Sequence, residues 1–137
     1  MQQRDILQDE IEELGRVLGR ILATFLGWQS EGDPVRGTQM ANEQLASELD
    51  VSVEQLLALD EQALREYLTT RNWTPAHMEA LAQYLAAAGT EKMHTDRAEA
   101  ERYVQTALRL LDIADDQSAT LSFERMSLRG DIEGLLG

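Results

Sequence analysis

Leu7, Ile11, Leu14, Leu18, Ile21 and Phe25 recur at alternating intervals of four and three residues. That beat places all six side chains on one face of an α-helix, and it predicts a first helix over about Asp5–Leu26. Ile6, Val17 and Leu22 broaden the face to nearly half the circumference, so it should meet more than one neighbour. Acids crowd the start (Asp5, Asp9, Glu10, Glu12, Glu13) and Arg16 and Arg20 follow, an order that suits the helix dipole. Gly15 and Gly19 each cost such a helix about 1 kcal/mol against alanine. Close approach of a second helix on their flank is the expected reason.

The remainder carries the same helical character. Runs rich in Val, Ile and Thr are absent, there are two prolines, and 43% of the 137 residues are apolar, so the chain reads as an all-α globular fold. Gly27–Gly37 is expected to be a break, with turn chemistry at Gly32-Asp33-Pro34. A second helix is expected over Thr38–Leu49, burying Met40, Leu45 and Leu49. Ser52-x-x-Gln55 is a capping box opening a short turn through Leu59, and Asp60 caps Glu61–Leu68. Thr74-Pro75 supplies a cap and a first-turn proline for a helix ending at Gly89, expected as a left-handed C′ residue. Thr95 or Asp96 opens the next helix, with Ala100, Tyr103, Val104, Ala107, Leu108 and Leu111 on one stripe. Ser118 or Thr120 begins a last helix burying Leu121, Phe123, Met126, Leu128 and Ile132.

Small residues at Ala100, Ala107 and Ala82 allow neighbouring helices to approach closely. Leu81-Ala82-x2-Leu85 followed by Ala100-x3-Val104-x2-Ala107 resembles the two helices of a tetratricopeptide repeat (TPR), with a loop about six residues longer than that repeat allows and Asp112 where its final proline belongs. The whole chain is also similar to a small bacterial family. That resemblance rests on Arg4-Asp5-Ile6-Leu7…Ile11-Glu12-x-Leu14, on Leu59-x5-Leu64 leading into Leu81, and on Ala107-Leu108-x-Leu110-Leu111 followed by Ser122-Phe123-Glu124-Arg125. It carries no catalytic residue onto this sequence. Together these features imply a right-handed stack of about six helices in one domain over 1–137: a long amphipathic helix (1–27), short helices (38–70), and a TPR-like hairpin plus capping helix (75–137).

Composition narrows the chemistry. The chain has no cysteine, which removes disulfides, zinc-thiolate sites and thiol nucleophiles. Acidic residues outnumber basic ones 25 to 12, for a net charge of −13. Such a chain repels nucleic acid and anionic membranes. Lys92 is the one lysine. An acidic, lysine-poor surface fits either a high-salt cytoplasm or a GC-rich genome with a solvated exterior. The N-terminus lacks the pattern of a secretory leader and no apolar run reaches membrane-spanning length, so a cytoplasmic protein is expected.

Glu91-x-x-His94 has metal-pair spacing but no second copy, and it is expected in a loop beyond Gly89. His77, in a first helical turn, is expected to be exposed. Asp112-x-x-Asp115-Asp116 crowds carboxylates at a helix C-terminus, where the dipole disfavours them; a solvated end is the simple reading, a cation or a partner's arginine the alternative. Catalytic, cofactor and metal residues are therefore assigned as none. Trp28 and Trp73 sit near helix ends, where tryptophan either lids the core edge or anchors a partner. The function expected is a non-enzymatic, TPR-like protein–protein interaction module with a protein or peptide partner, drawn by charge to a basic one. Self-association through the first helix as a homodimer is the second reading, and a small-ligand or enzymatic site between helices the third.

Overall fold

The structure, a computed structural model, describes residues 2–118 and 122–137. It is all-α, with seven helices and no strand among the described residues: α1 Gln2–Ser30, α2 Pro34–Leu49, α3 Val53–Ala58, α4 Glu61–Thr70, α5 Pro75–Lys92, α6 Arg97–Gln117 and α7 Phe123–Leu135. All seven contribute side chains to one continuous apolar core.

The centre of that core is α5. Met78, Leu81, Ala82, Tyr84, Leu85, Ala86 and Ala88 are all buried, so apolar side chains surround the helix rather than lining one stripe. A helix of that kind is stable only when other helices enclose it. Here α1, α2, α6 and α7 all pack against it. The most extensive contact is with α6, reached through the short Met93–Asp96 turn, which makes α5 and α6 an antiparallel hairpin. The α1 seam is buried within the chain at Val17, Leu18, Ile21 and Phe25, while Leu7 at its start is exposed. Phe25 meets Tyr84 of α5 edge-on, with ring centroids 5.5 Å apart, a favoured aromatic geometry.

Several boundaries differ from the expectation for local reasons. The break after α1 shrinks to Glu31–Asp33, because Asp33 caps α2 by accepting a hydrogen bond from the Arg36 N–H at 3.1 Å, and Pro34 follows at N1. This is the Thr74-Pro75 logic in a second place. Gly89 is not a C′ residue: α5 runs through it to Lys92. A β-carbon there would sit 2.9 Å from Val104 Cγ2 and 3.2 Å from the Ala100 carbonyl oxygen, so glycine serves the close crossing of α5 and α6. Gly37 does the same for α1 and α2, where a β-carbon would lie 3.0 Å from Trp28 Cβ and 3.1 Å from the Phe25 carbonyl oxygen. The expected close approach at Gly15 and Gly19 is absent. Gly15 has only ordinary contact room beside His77, and nothing lies within 4 Å of a β-carbon at Gly19.

These environments predict opposite outcomes for one chemical change. Gly19→Ala should raise stability by about 0.5–1 kcal/mol, the propensity gain in an exposed helix interior. Gly89→Ala should lower it by about 1–2 kcal/mol, overpacking against the stiff Val104 side chain outweighing that gain. Urea denaturation of the two variants checks the sign of each.

Candidate functional site

A groove of about 710 Å³ opens between the first half of α2, the start of α3 and the turn joining α5 to α6. Its walls combine apolar surface from Val35, Val53 and Leu57 with Gln39, Asn42, Glu54, Glu91, Lys92, His94, Glu99 and Tyr103. Capped helices carry several of these groups. Ser52 caps α3 by accepting from the Gln55 N–H, and Asp96 caps α6 by accepting from the Glu99 N–H at 3.2 Å.

A polar ladder runs through the protein to the groove floor. The buried Tyr84 hydroxyl lies 2.6 Å from Asn42 Oδ1 and 3.3 Å from the Thr38 carbonyl oxygen, and Asn42 Nδ2 donates to the Tyr103 hydroxyl at 3.2 Å. Burial, reinforced by the neighbouring Tyr103, drives the Tyr84 hydroxyl far above the ordinary phenol range, so it remains a donor at any physiological pH. In this arrangement the Asn42 amide turns its oxygen to Tyr84, at the shorter of the two Tyr84 contacts, and its nitrogen to Tyr103. Tyr103 is 3% exposed, and Lys92 Nζ lies 5.3 Å from its ring centroid while standing 3.5 Å from Glu99 Oε2. Glu91 accepts from Gln29 Nε2 at 2.6 Å.

The residues singled out by sequence fall in varied settings. Trp28 is half-buried, with the Arg36 guanidinium 4.7 Å from its ring centroid. It borders a separate shallow hollow with Ala23 and Glu31. Trp73 is 6% exposed and edge-on to His77, which leaves its ring in the core rather than on a partner surface. Glu91 lies in α5 and His94 in the following turn, not together in a loop, though both reach the groove. Among the described residues no group of three His, Cys, Asp or Glu side chains is placed to hold a metal ion.

At the end of α6, Asp115 and Asp116 are exposed, as a solvated end requires, but the carboxylates are also paired within the chain. Arg129 meets Asp112 at 2.6 Å and Asp115 at 2.8 Å, Arg125 meets Asp115 at 2.9 Å and Glu79 at 3.2 Å, and Arg65 meets Asp116 at 2.8 Å. The compensating arginines come from the chain's own α4 and α7. Burial pushes the Asp115 carboxyl up, but hydrogen bonds from Arg125 and Arg129 outweigh it and hold the group below its ordinary value. In α7, Ser122 is the cap and Ile132 is buried. Phe123, expected in the core, is 82% exposed, and Met126 is exposed as well. The arginines occupy the inward face and turn these two outward. Ser118 is the C-cap of α6, and the positions proposed at Thr120 and Leu121 lie outside the described residues.

His77 is also corrected: it is buried, at 4% exposure. Its Nδ1 accepts from the Thr74 N–H at 3.0 Å, closing a capping box in which histidine stands where glutamate is usual. Nδ1 is therefore unprotonated, and Nε2 carries the hydrogen toward the Ile11 carbonyl oxygen at 2.9 Å. The neutral ring thus ties α5 to α1. Burial lowers the His77 pKa from its ordinary value, partly opposed by the Ile11 carbonyl. The unfolded chain then binds more protons than the folded one just below pH of about 6.5. Stability should be full above that pH and decline as pH falls from about 6.5 toward the lower folded-state pKa. His77→Gln should flatten that slope in melting curves taken between pH of about 5 and 7.

No protein-family model, curated protein or solved structure matches this chain. The groove's chemistry is therefore read from its own residues. Sequence reasoning missed the ladder. Tyr103 lies on the expected α6 stripe and is buried, but no spacing links Asn42, Tyr84 and Tyr103, which meet only once α2 crosses the hairpin.

Proposed function

We propose that this protein is a non-enzymatic, TPR-like interaction module, cytoplasmic in setting, whose groove between α2, α3 and the α5–α6 turn receives a segment of another protein. The observation that carries this reading is the groove itself. It is an open depression between helices in which a few apolar side chains, Val35, Val53 and Leu57, lie among many polar and charged ones, which suits a segment that presents both kinds of group. Charge supports it too. Arg16, Arg20, Arg65, Arg71, Arg97, Arg125 and Arg129 all pair with carboxylates of the same chain, yet the net charge remains −13. The excess acid steers a basic partner inward. Use of the α1 seam for a homodimer is not supported, since its central residues are occupied by α2 and α5.

Affinity capture from the native cell extract tests the reading. Gln39 is exposed on the groove wall, so Gln39→Trp should fill the groove and leave the fold intact. A protein retained by the wild type and lost on that variant is the expected result. Capture that is identical for both proteins would move the partner away from the groove.

A further inference from the structure

The groove lining includes a hydroxyl with donor capacity. Tyr103 accepts from Asn42, but among the described residues no acceptor receives its own hydroxyl hydrogen. The side chain is 3% exposed and lines the groove. A hydroxyl hydrogen on the groove lining can be given to an acceptor that enters the groove. Asn42 Nδ2 carries a second hydrogen beside it. Both groups belong to the Tyr84–Asn42–Tyr103 ladder, which holds their heavy atoms at the groove.

The walls favour the opposite kind of group. Glu54 has no cationic partner among the described residues. Glu91 is met by a neutral amide from Gln29. Lys92, drawn onto the Tyr103 ring, covers only Glu99. A ligand anion would satisfy the floor and be repelled by Glu54 and Glu91, which no cation covers among the described residues. A polyamine would satisfy the walls and leave the floor without an acceptor. A basic peptide satisfies both, with a neutral backbone carbonyl for the floor and a cationic side chain for the walls. The groove volume, about 710 Å³, is several times that of one amino acid.

We propose that the groove binds an extended peptide segment bearing lysine or arginine, with a backbone carbonyl accepting from Tyr103 and a cationic side chain beside Glu54 or Glu91. This rests on the interaction-module reading and names its ligand class.

The test is an amide-resolved NMR titration of the full chain at low ionic strength with blocked Ala-Lys-Ala-Lys-Ala, its glutamine and glutamate counterparts, and free lysine. The lysine peptide should shift the amides of Gln39, Asn42, Lys92, Glu99 and Tyr103. The glutamine peptide should bind about tenfold more weakly, and the lysine peptide should weaken as salt is added. Tyr103→Phe should weaken the lysine peptide about fivefold, the value of one hydrogen bond. Glu54→Gln, at an exposed position, should weaken it about threefold with the fold untouched. Equal or tighter binding of the glutamine or glutamate peptide at the same amides overturns the basic class while leaving the module reading intact. Free lysine matching the peptide overturns the segment in favour of a small zwitterion. Absence of shifts at these amides overturns the proposal; if Gln39→Trp still abolishes capture, the module reading survives it.

Discussion

Ile21→Glu should unfold this protein rather than divide a dimer. Ile21 is 1% exposed, in the middle of the α1 face that α2 and α5 cover. The change removes a buried branched side chain, a loss of about 2–5 kcal/mol. It also leaves a carboxylate among Leu18, Phe25 and the apolar side chains of α5, with no cation in the core cluster. An unpaired buried charge costs several kcal/mol more after relaxation. Domains of this size have about 5–15 kcal/mol in total, so most or all of the stability should go. Circular dichroism should show lost helix at 25 °C, and sedimentation should show an expanded or aggregated chain. Leu7→Glu, at the exposed start of the same seam, should fold like the wild type. A folded monomer from Ile21→Glu, beside a dimeric wild type, would return the seam to an intermolecular role.

The second large effect concerns α7. Its apolar anchorage is thin: Ile132 is fully buried, Leu128, Leu135 and Leu136 are partly so, and Phe123 and Met126 face outward. What fixes the helix is Arg125, whose nearly buried side chain bonds Asp115 of α6 and Glu79 of α5, with Arg129 beside it on Asp112 and Asp115. Arg125→Ala removes the shared cation and the packing of its stem. Asp115 and Glu79 remain partly in water, so the cost should fall below that of a fully buried pair, at about 2–3 kcal/mol. Most of it should appear as detachment of α7. Hydrogen exchange in Phe123–Leu135 should accelerate by about 30–100-fold while α5 stays protected. The same contact has a pH signature. Asp115 is held below its ordinary carboxyl value, so its contribution is present above a pH of about 4 and lost as pH falls through the lower folded-state value. Arg125→Ala should blunt that loss.

The two predictions also mark how far the sequence could be read. The α1 face was legible because its six apolar residues keep one helical beat through a long element. The caps at Ser52, Asp60, Thr74 and Asp96 were legible because side-chain capping is local chemistry. Asp33-Pro34 carried an equally local signal, overridden by the neighbouring glycines. Gly89 looked like a helix stop because glycine often ends helices; only the position of Val104 shows that it admits a crossing helix instead. His77 and Arg125 were illegible for a shared reason. Each is a polar residue buried by partners far along the chain, Ile11 for one and Glu79 for the other. The groove followed the same rule. Its charged walls were visible as composition, but the ladder that fixes Tyr103 required α2 to lie across the hairpin.

The central claim is that a protein partner occupies the groove. Site-directed photo-crosslinking in living cells tests it most directly, with a benzophenone side chain placed at Gln39 on the groove wall, at Gln105 on the outer face of α6, and at Met126 on α7. The account predicts a discrete protein adduct from position 39 and none from 105 or 126. Adducts from position 126 alone, or only a small-molecule mass increase at position 39, would contradict it.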